Sequence, residues 1–210
     1  MKKIIWIIAL MISITACQNE AKPKSENDAP AQSVKQEKKP DFDHKAYKMK
    51  GMLIAKNTFK VFKSNIQTIA SKEGLPGVVD FCHKNAGKLA DSLGKLHNVV
   101  IKRTSHKLRN EKNKPDEDSK AVLKKYLKLQ EAQKPMESIV KKGADGYVHF
   151  YAPIKLKKEC LKCHGTPGQE VSDEIYKLIK SKYPGDKAMG FKESELRGIW
   201  DIKFLDMADK

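Results

Sequence analysis

Apolar residues in the middle of this chain recur first at helical and later at strand spacing. Met52, Ala55, Phe59, Phe62, Ile66 and Ile69 are separated by alternating steps of three and four. That spacing predicts one apolar stripe along a helix. Gly74, Pro76 and Gly77 interrupt it. A second helix is expected over Val78 to Leu93, with Val78, Cys82, Ala86, Leu89 and Leu93 on one face. Two amphipathic helices with a short connection pack antiparallel. Asn98 to Arg103 is short, β-branched and strand-like, and Lys107 to Asp118 is a polar loop containing Pro115. Ser119 to Glu131 reads as a helix, with Ala121, Val122, Leu123, Tyr126 and Leu129 at its apolar positions. Gly146 precedes an aromatic strand, Tyr147 to Tyr151, stopped by Pro153. Gly198 to Phe204 alternates as a third strand. Helices come first and strands mostly later, with short connections, so the expected class is α+β with antiparallel pairing rather than doubly wound α/β. There is no internal repeat, P-loop or dinucleotide fingerprint.

The N-terminus changes the picture. Lys2 and Lys3 precede an almost wholly apolar run, Ile4 to Ile14. This run is too short for a membrane span of about 20 residues but fits a secretory signal. It ends Ile14-Thr15-Ala16-Cys17, the lipobox pattern of bacterial lipoproteins. That resemblance implies removal of a signal peptide, residues 1–16, and acylation of Cys17. The alternatives are an ordinary signal peptide with a chance cysteine, or an uncleaved anchor. Gln18 to Pro40 contains no Leu, Ile, Met or aromatic residue. It has too little to bury against the entropy of ordering, so 17–40 is read as a lipidated tether, spanning on the order of 25 Å as a coil. The folded domain is expected over 41–210.

The chain has 42 Lys+Arg against 26 Asp+Glu, a formal charge of +16 over 210 residues. Such an excess suits nucleic acid, but an exported protein does not meet the nucleoid. The expected place is outside the cytoplasm, lipid-anchored and facing the periplasm. Gln18 in place of Asp does not decide between inner and outer membrane. Four cysteines are too few for a disulfide framework at this size.

The motif that carries chemistry is Cys160-Leu161-Lys162-Cys163-His164. C-x-x-C-H is the attachment signature of c-type haem. The two thiols add to the two vinyl groups of the porphyrin, and the adjacent imidazole reaches the iron as an axial ligand. A zinc site would want a second Cys/His pair. A thioredoxin-like pair would want a strand before it and a helix starting at its first cysteine. Gly165 and Pro167 follow at once, so the motif is expected in a loop. The cofactor expected is one covalent haem c. Cys82 is then the one cysteine without a task. It is either a buried, inert hydrophobe or the second axial ligand, in competition with His83, His97, His106, His149, Met136 and Met189. Cys82 and its neighbour His83 lie about 100° apart on a helix, so they do not both ligate.

Several ordered anchors add a family resemblance. They are Cys82 with Ala86; Arg103-Thr104-Ser105 with Lys107, Arg109-Asn110, Asn113 and Pro115-Asp116; Tyr151-Ala152-Pro153-Ile154; the haem motif with Gly165; and Tyr183-Pro184, Asp186, Ala188, Gly190 and Arg197-Gly198. From about Lys45 to Phe204 the chain resembles the bacterial PAS-like c-type haem domain family. Members occur alone or as sensor parts of membrane histidine kinases and chemoreceptors. The resemblance implies a PAS-like antiparallel sheet flanked by N-terminal helices, and covalent haem. It also implies that Cys82 is the axial cysteine opposite His164. One departure is Ser194-Glu195, where the family tends to have Gly-Asp. A turn needing φ > 0 there would be strained in this chain.

Arg103 and Arg109 flank a turn rich in Ser, Thr and Asn, and are candidates for the haem propionates. Arg197 is a weaker one. The lysines at 155–158 and 177–182 read as solvated faces. Lys155, Lys157 and Lys158 border the haem motif and suit steering of an acidic redox partner. The function expected is a membrane-tethered redox or gas sensor signalling through a separate protein. The alternative is an electron-transfer cytochrome of a respiratory chain. No distal acid–base set can be identified, so an enzyme is not expected.

Overall fold

The computed structural model describes residues 42–206. The signal segment 1–16, Cys17 and the tether to residue 40 lie outside the described residues. Helix α1 runs His44–Lys84 and α2 Ala86–His97, followed by strand β1, Val99–Thr104. Helix α3 spans Glu117–Glu131, β2 Ile139–Lys142 and β3 Val148–Lys155. The short helix α4, Leu161–His164, then precedes α5, Asp173–Lys182, and β4, Leu196–Phe204. The four strands form one antiparallel sheet in the order β1-β4-β3-β2. The class is the expected α+β, with N-terminal helices on an antiparallel sheet.

Alternation along the central strands builds two layers of core. Phe150, Trp200, Ile202 and Phe204 face α1 and α2, packing on Ile54, Ala55, Phe62 and Ala90. Tyr151, Leu196 and Ile199 face α3, packing on Val122, Leu123 and Tyr126. Phe150 is fully buried, and such a side chain contributes about 2–3 kcal/mol by leaving water.

The helices start where capping residues occur. Asp43 accepts from the Ala46 amide (2.9 Å), Asp116 from Ser119 (2.8 Å), and Ser172 from Ile175 (3.4 Å). Asn98 ends α2 in the left-handed region, φ 52 and ψ 48.

Three expectations about local structure need correction. Met52 and Phe59 of the anticipated α1 stripe face solvent, while Gly51, Ile54, Ala55, Thr58 and Phe62 are buried. Small residues decide the face. A Cβ at position 51 would lie 2.3 Å from Phe150 Cγ, so the glycine lets helix and sheet meet. The helix expected over 78–93 is divided at Asn85, and the break before it is at Gly74, with φ 67. Pro76 sits within the first turn after that break, where its missing N–H costs least. Strand β3 is not stopped by Pro153 but runs to Lys155. Strand β2 ends opposite Tyr151, so on that side β3 is an edge, where a sheet accepts proline.

On the α3 face lies a polar seam. His149 Nδ1 is 2.7 Å from Asp201 Oδ1, and Ser119 Oγ donates to Asp201 Oδ2 at 3.0 Å. His149 Nε2 lies 3.2 Å from both oxygens of Asp145. The buried carboxylate of Asp201 is thereby satisfied on both oxygens.

Candidate haem site

The cysteine motif is wound into helical turns rather than left as a loop. Residues Lys158–Cys160 form a 3-10 turn that runs into α4. Winding places Cys160 and Cys163, three apart, on one side. Both are free thiols, as is Cys82. Helix α4 has only four residues, unlike the long helix that follows a thioredoxin-like pair.

A strap from Tyr183 to Phe191 holds the motif in place. The Gly190 amide donates to the Gly165 carbonyl at 2.9 Å and Phe191 to that of His164 at 3.0 Å. His164 Nδ1 is 2.9 Å from the Ala188 carbonyl oxygen. A carbonyl only accepts, so Nδ1 carries the hydrogen and Nε2 keeps a free lone pair. This is the tautomer and ring orientation that a metal-bound imidazole needs. Burial, followed by Arg197 and Arg109, holds His164 well below the usual histidine range, against the opposing bond to Ala188. The imidazole is neutral.

Arg109 has a structural task. Its Nε and Nη2 grip Asp186 Oδ1 and Oδ2, each at 3.2 Å, and Nη2 also reaches the Cys163 carbonyl (2.7 Å) and the Ala188 carbonyl (3.2 Å). Arg103 and Arg197 are different. The Arg103 guanidinium lies 4.1 Å from the Phe62 ring centroid and 5.7 Å from that of Trp200. Arg197 Nη1 donates to the Lys107 carbonyl. Neither meets a carboxylate among the described residues. Burial lowers the pKa of both, that of Arg197 to about 9 with Arg109 and Arg103 adding to the effect. Two cations held this way favour an anion between them.

Cys82 comes from the last turns of α1. It is half-buried while His83 is exposed, and the His83 ring sits edge-on to Tyr183 at 5.0 Å. Burial pushes the Cys82 thiol up, and the charges of Arg103 and Arg109 oppose that rise. Burial likewise pushes Cys163 up to about 11. The other ligand candidates are less well placed. His149 is bracketed by carboxylates on the far face of the sheet, and His106 is exposed against Phe191. Met136 packs with α3. Met189 packs on the same cluster as Cys163, with its sulfur 3.8 Å from Arg109 Nη2. His97 is at the end of α2.

Thus Cys82, Arg103, Arg109, Cys163 and His164 come together from α1, β1, the following loop and α4. The sequence reading ranked Arg197 low and missed the Ala188 carbonyl and Asp186 as supports. Only the Arg-Gly pair before the alternating strand hinted at Arg197.

A family model described as Tll0287-like matches residues 31–204. The chain belongs to the Tll0287-like family. Its fold is similar to the crystal structure of the cyanobacterial heme-protein Tll0287, with TM-score 0.59 and 18% identity over 80% of this chain and 100% of that one. No curated protein matches.

Proposed function

We propose that this Tll0287-like protein binds one covalent haem c and works as a redox or gas sensor module, tethered through Cys17 to a membrane and facing the periplasm. The carrying observation is the fixed tautomer of His164, whose Nδ1 is engaged by Ala188 and whose Nε2 is left for iron. The free thiols of Cys160 and Cys163 on one side of a helical turn fit thioether attachment. Arg103 and Arg197, lacking carboxylate partners, fit the two propionates, while Arg109 braces the motif. The heme-protein Tll0287 supports the same cofactor. The haem would supply a redox-active iron with a ligand-exchange position.

In this reading Cys82 would hold the iron as its second protein ligand. Its thiol favours the protonated form when buried, and Arg103 and Arg109 favour the thiolate. These opposed influences suit a ligand held in one state and released in another, which is what a sensor uses. A second reading, electron transfer, is favoured by the exposed Lys155, Lys157, Lys158 and Lys162 around the motif, which would steer an acidic redox partner. No catalytic residue is assigned.

Purified protein should keep its haem through acid-acetone extraction and denaturing electrophoresis, and the Cys160→Ala/Cys163→Ala variant should lose it. Retention by that variant would sink the haem c reading. The spectrum and potential of Cys82→Ala then separate the two roles. A changed low-spin ferric signal and raised potential support the labile thiolate of a sensor. An unchanged spectrum leaves the electron carrier with a His or Met ligand.

A further inference from the structure

Helix α1 has a second apolar face, turned to solvent. Met49, Met52, Leu53 and Phe59 are 60%, 53%, 60% and 40% exposed. At 100° per residue they lie on the side opposite Ile54, Thr58 and Phe62, together with Lys45, Lys56 and Lys60. From His44 to Lys72 the helix carries seven lysines and no Asp or Glu. Lys48, Lys50 and Lys63 have carboxylates beside them, from Glu137, Asp206 and Glu159. Lys45, Lys56 and Lys60 meet none among the described residues.

We propose that this face of α1 docks on an anionic lipid surface. The helix lies along the headgroup layer, with Met49, Met52, Leu53 and Phe59 entering the acyl boundary and Lys45, Lys56 and Lys60 on lipid phosphates. A large apolar side chain between lysines, with carboxylates excluded, is the composition of an interfacial helix. The face from Lys45 to Lys63 is about 28 Å long, enough to rest on several headgroups at once. A second copy of the chain is a poor occupant, because pairing this face with itself sets lysine against lysine. The inference rests neither on haem nor on acylation of Cys17, since the pattern is in α1 itself.

The test uses the full-length protein with whatever haem it carries, bound to phosphatidylcholine vesicles with or without phosphatidylglycerol. A methionine-directed oxidant is added, and sulfoxide at each methionine is read by peptide mass spectrometry, with Met136 as the internal reference. The rates at Met49 and Met52 should fall several-fold on the anionic vesicles alone and recover in high salt. In Lys45→Gln/Lys56→Gln/Lys60→Gln the protection should vanish, the affinity of the face for anionic vesicles falling on the order of a hundredfold. The absorbance spectrum should stay that of the parent, so failure here is distinguishable from failure of the haem reading. Equal protection on neutral vesicles, protection that survives the triple variant, or no protection on either vesicle would overturn the proposal. Protection without vesicles that grows with protein concentration would also overturn it, in favour of a second copy.

Discussion

Arg109 grips Asp186 with two prongs, Nε to Oδ1 and Nη2 to Oδ2, both at 3.2 Å. The Asp186 side chain is fully buried and Arg109 nearly so. The same Nη2 binds the carbonyls of Cys163 and Ala188, and Ala188 in turn orients His164. One ion pair therefore ties the cysteine turn to the strap that sets the imidazole.

Breaking that pair leaves a buried charge. Arg109→Ala is expected to cost on the order of 3–5 kcal/mol, read as the shift in a urea unfolding curve. Asp186→Asn should cost less, because the amide still accepts from one prong, and Arg109→Lys should lose the fork. Equal stability of wild type and Arg109→Ala would refute the brace.

A second expectation concerns pH. Burial works against charge on His149, but its bonds to Asp201 and Asp145 and their charges outweigh it, so its pKa is raised above the ordinary histidine value of 6.5. The folded state thus holds this proton more tightly than the unfolded one. The resulting stability is complete below 6.5 and is lost as pH rises through the raised folded value. Unfolding curves at pH 6 and pH 9 should show this loss in wild type, and His149→Gln should remove that component while costing about 1–3 kcal/mol at pH 6. A variant with the same pH dependence as wild type would show that His149 is not its source.

Ser194 takes φ 66 in the turn from Lys192 to Glu195, as the Gly-Asp comparison anticipated. A non-glycine residue there costs about 1–2 kcal/mol, and glycine gives back about 0.5–1 through the freer unfolded chain. Ser194→Gly should raise stability by several tenths to about 1 kcal/mol, visible as a higher thermal midpoint. A lowered midpoint would mean that the hydroxyl has a task.

Gly51→Ala should act in the opposite direction. The added methyl would meet the Phe150 side chain at 2.3–2.7 Å, and Phe150 is fully buried. Overpacking of this kind costs about 1–3 kcal/mol, despite alanine's better helix propensity. Gly87→Ala on α2 is the control, since its Cβ would meet nothing within 4 Å, and it should be neutral or stabilising.

These cases also show what the sequence can convey. The cysteine motif was legible because two cysteines and a histidine in a fixed order form a compact signature, and β4 because its alternation is strict. The inward face of α1 was misread because the contact is made by Gly51 and Thr58, which carry no hydrophobic signal, while Met52 and Phe59 do. Strand β2 and helix α5 were not anticipated. The first has four residues, and the second shows only Ile175 and Ile179 buried between lysines and acids. Asp186, Ala188 and Arg197 act through partners 77 to 90 positions away, a distance that no local pattern records.

The left-handed break at Gly74 confines bending of the first helix to one residue. The portion before it is locked to the sheet through Gly51, Ile54 and Phe62, while the portion after it carries Cys82. Eight residues separate the pivot from the thiol, a lever arm of about 12 Å. A difference of about 10° at that joint displaces the sulfur by about 2 Å. Were Cys82 to hold haem iron, the position of its sulfur would be set by the angle at Gly74 and by the packing of Val79 on Ile175 and Ile179 of α5, and a side chain at position 74 would strain that angle.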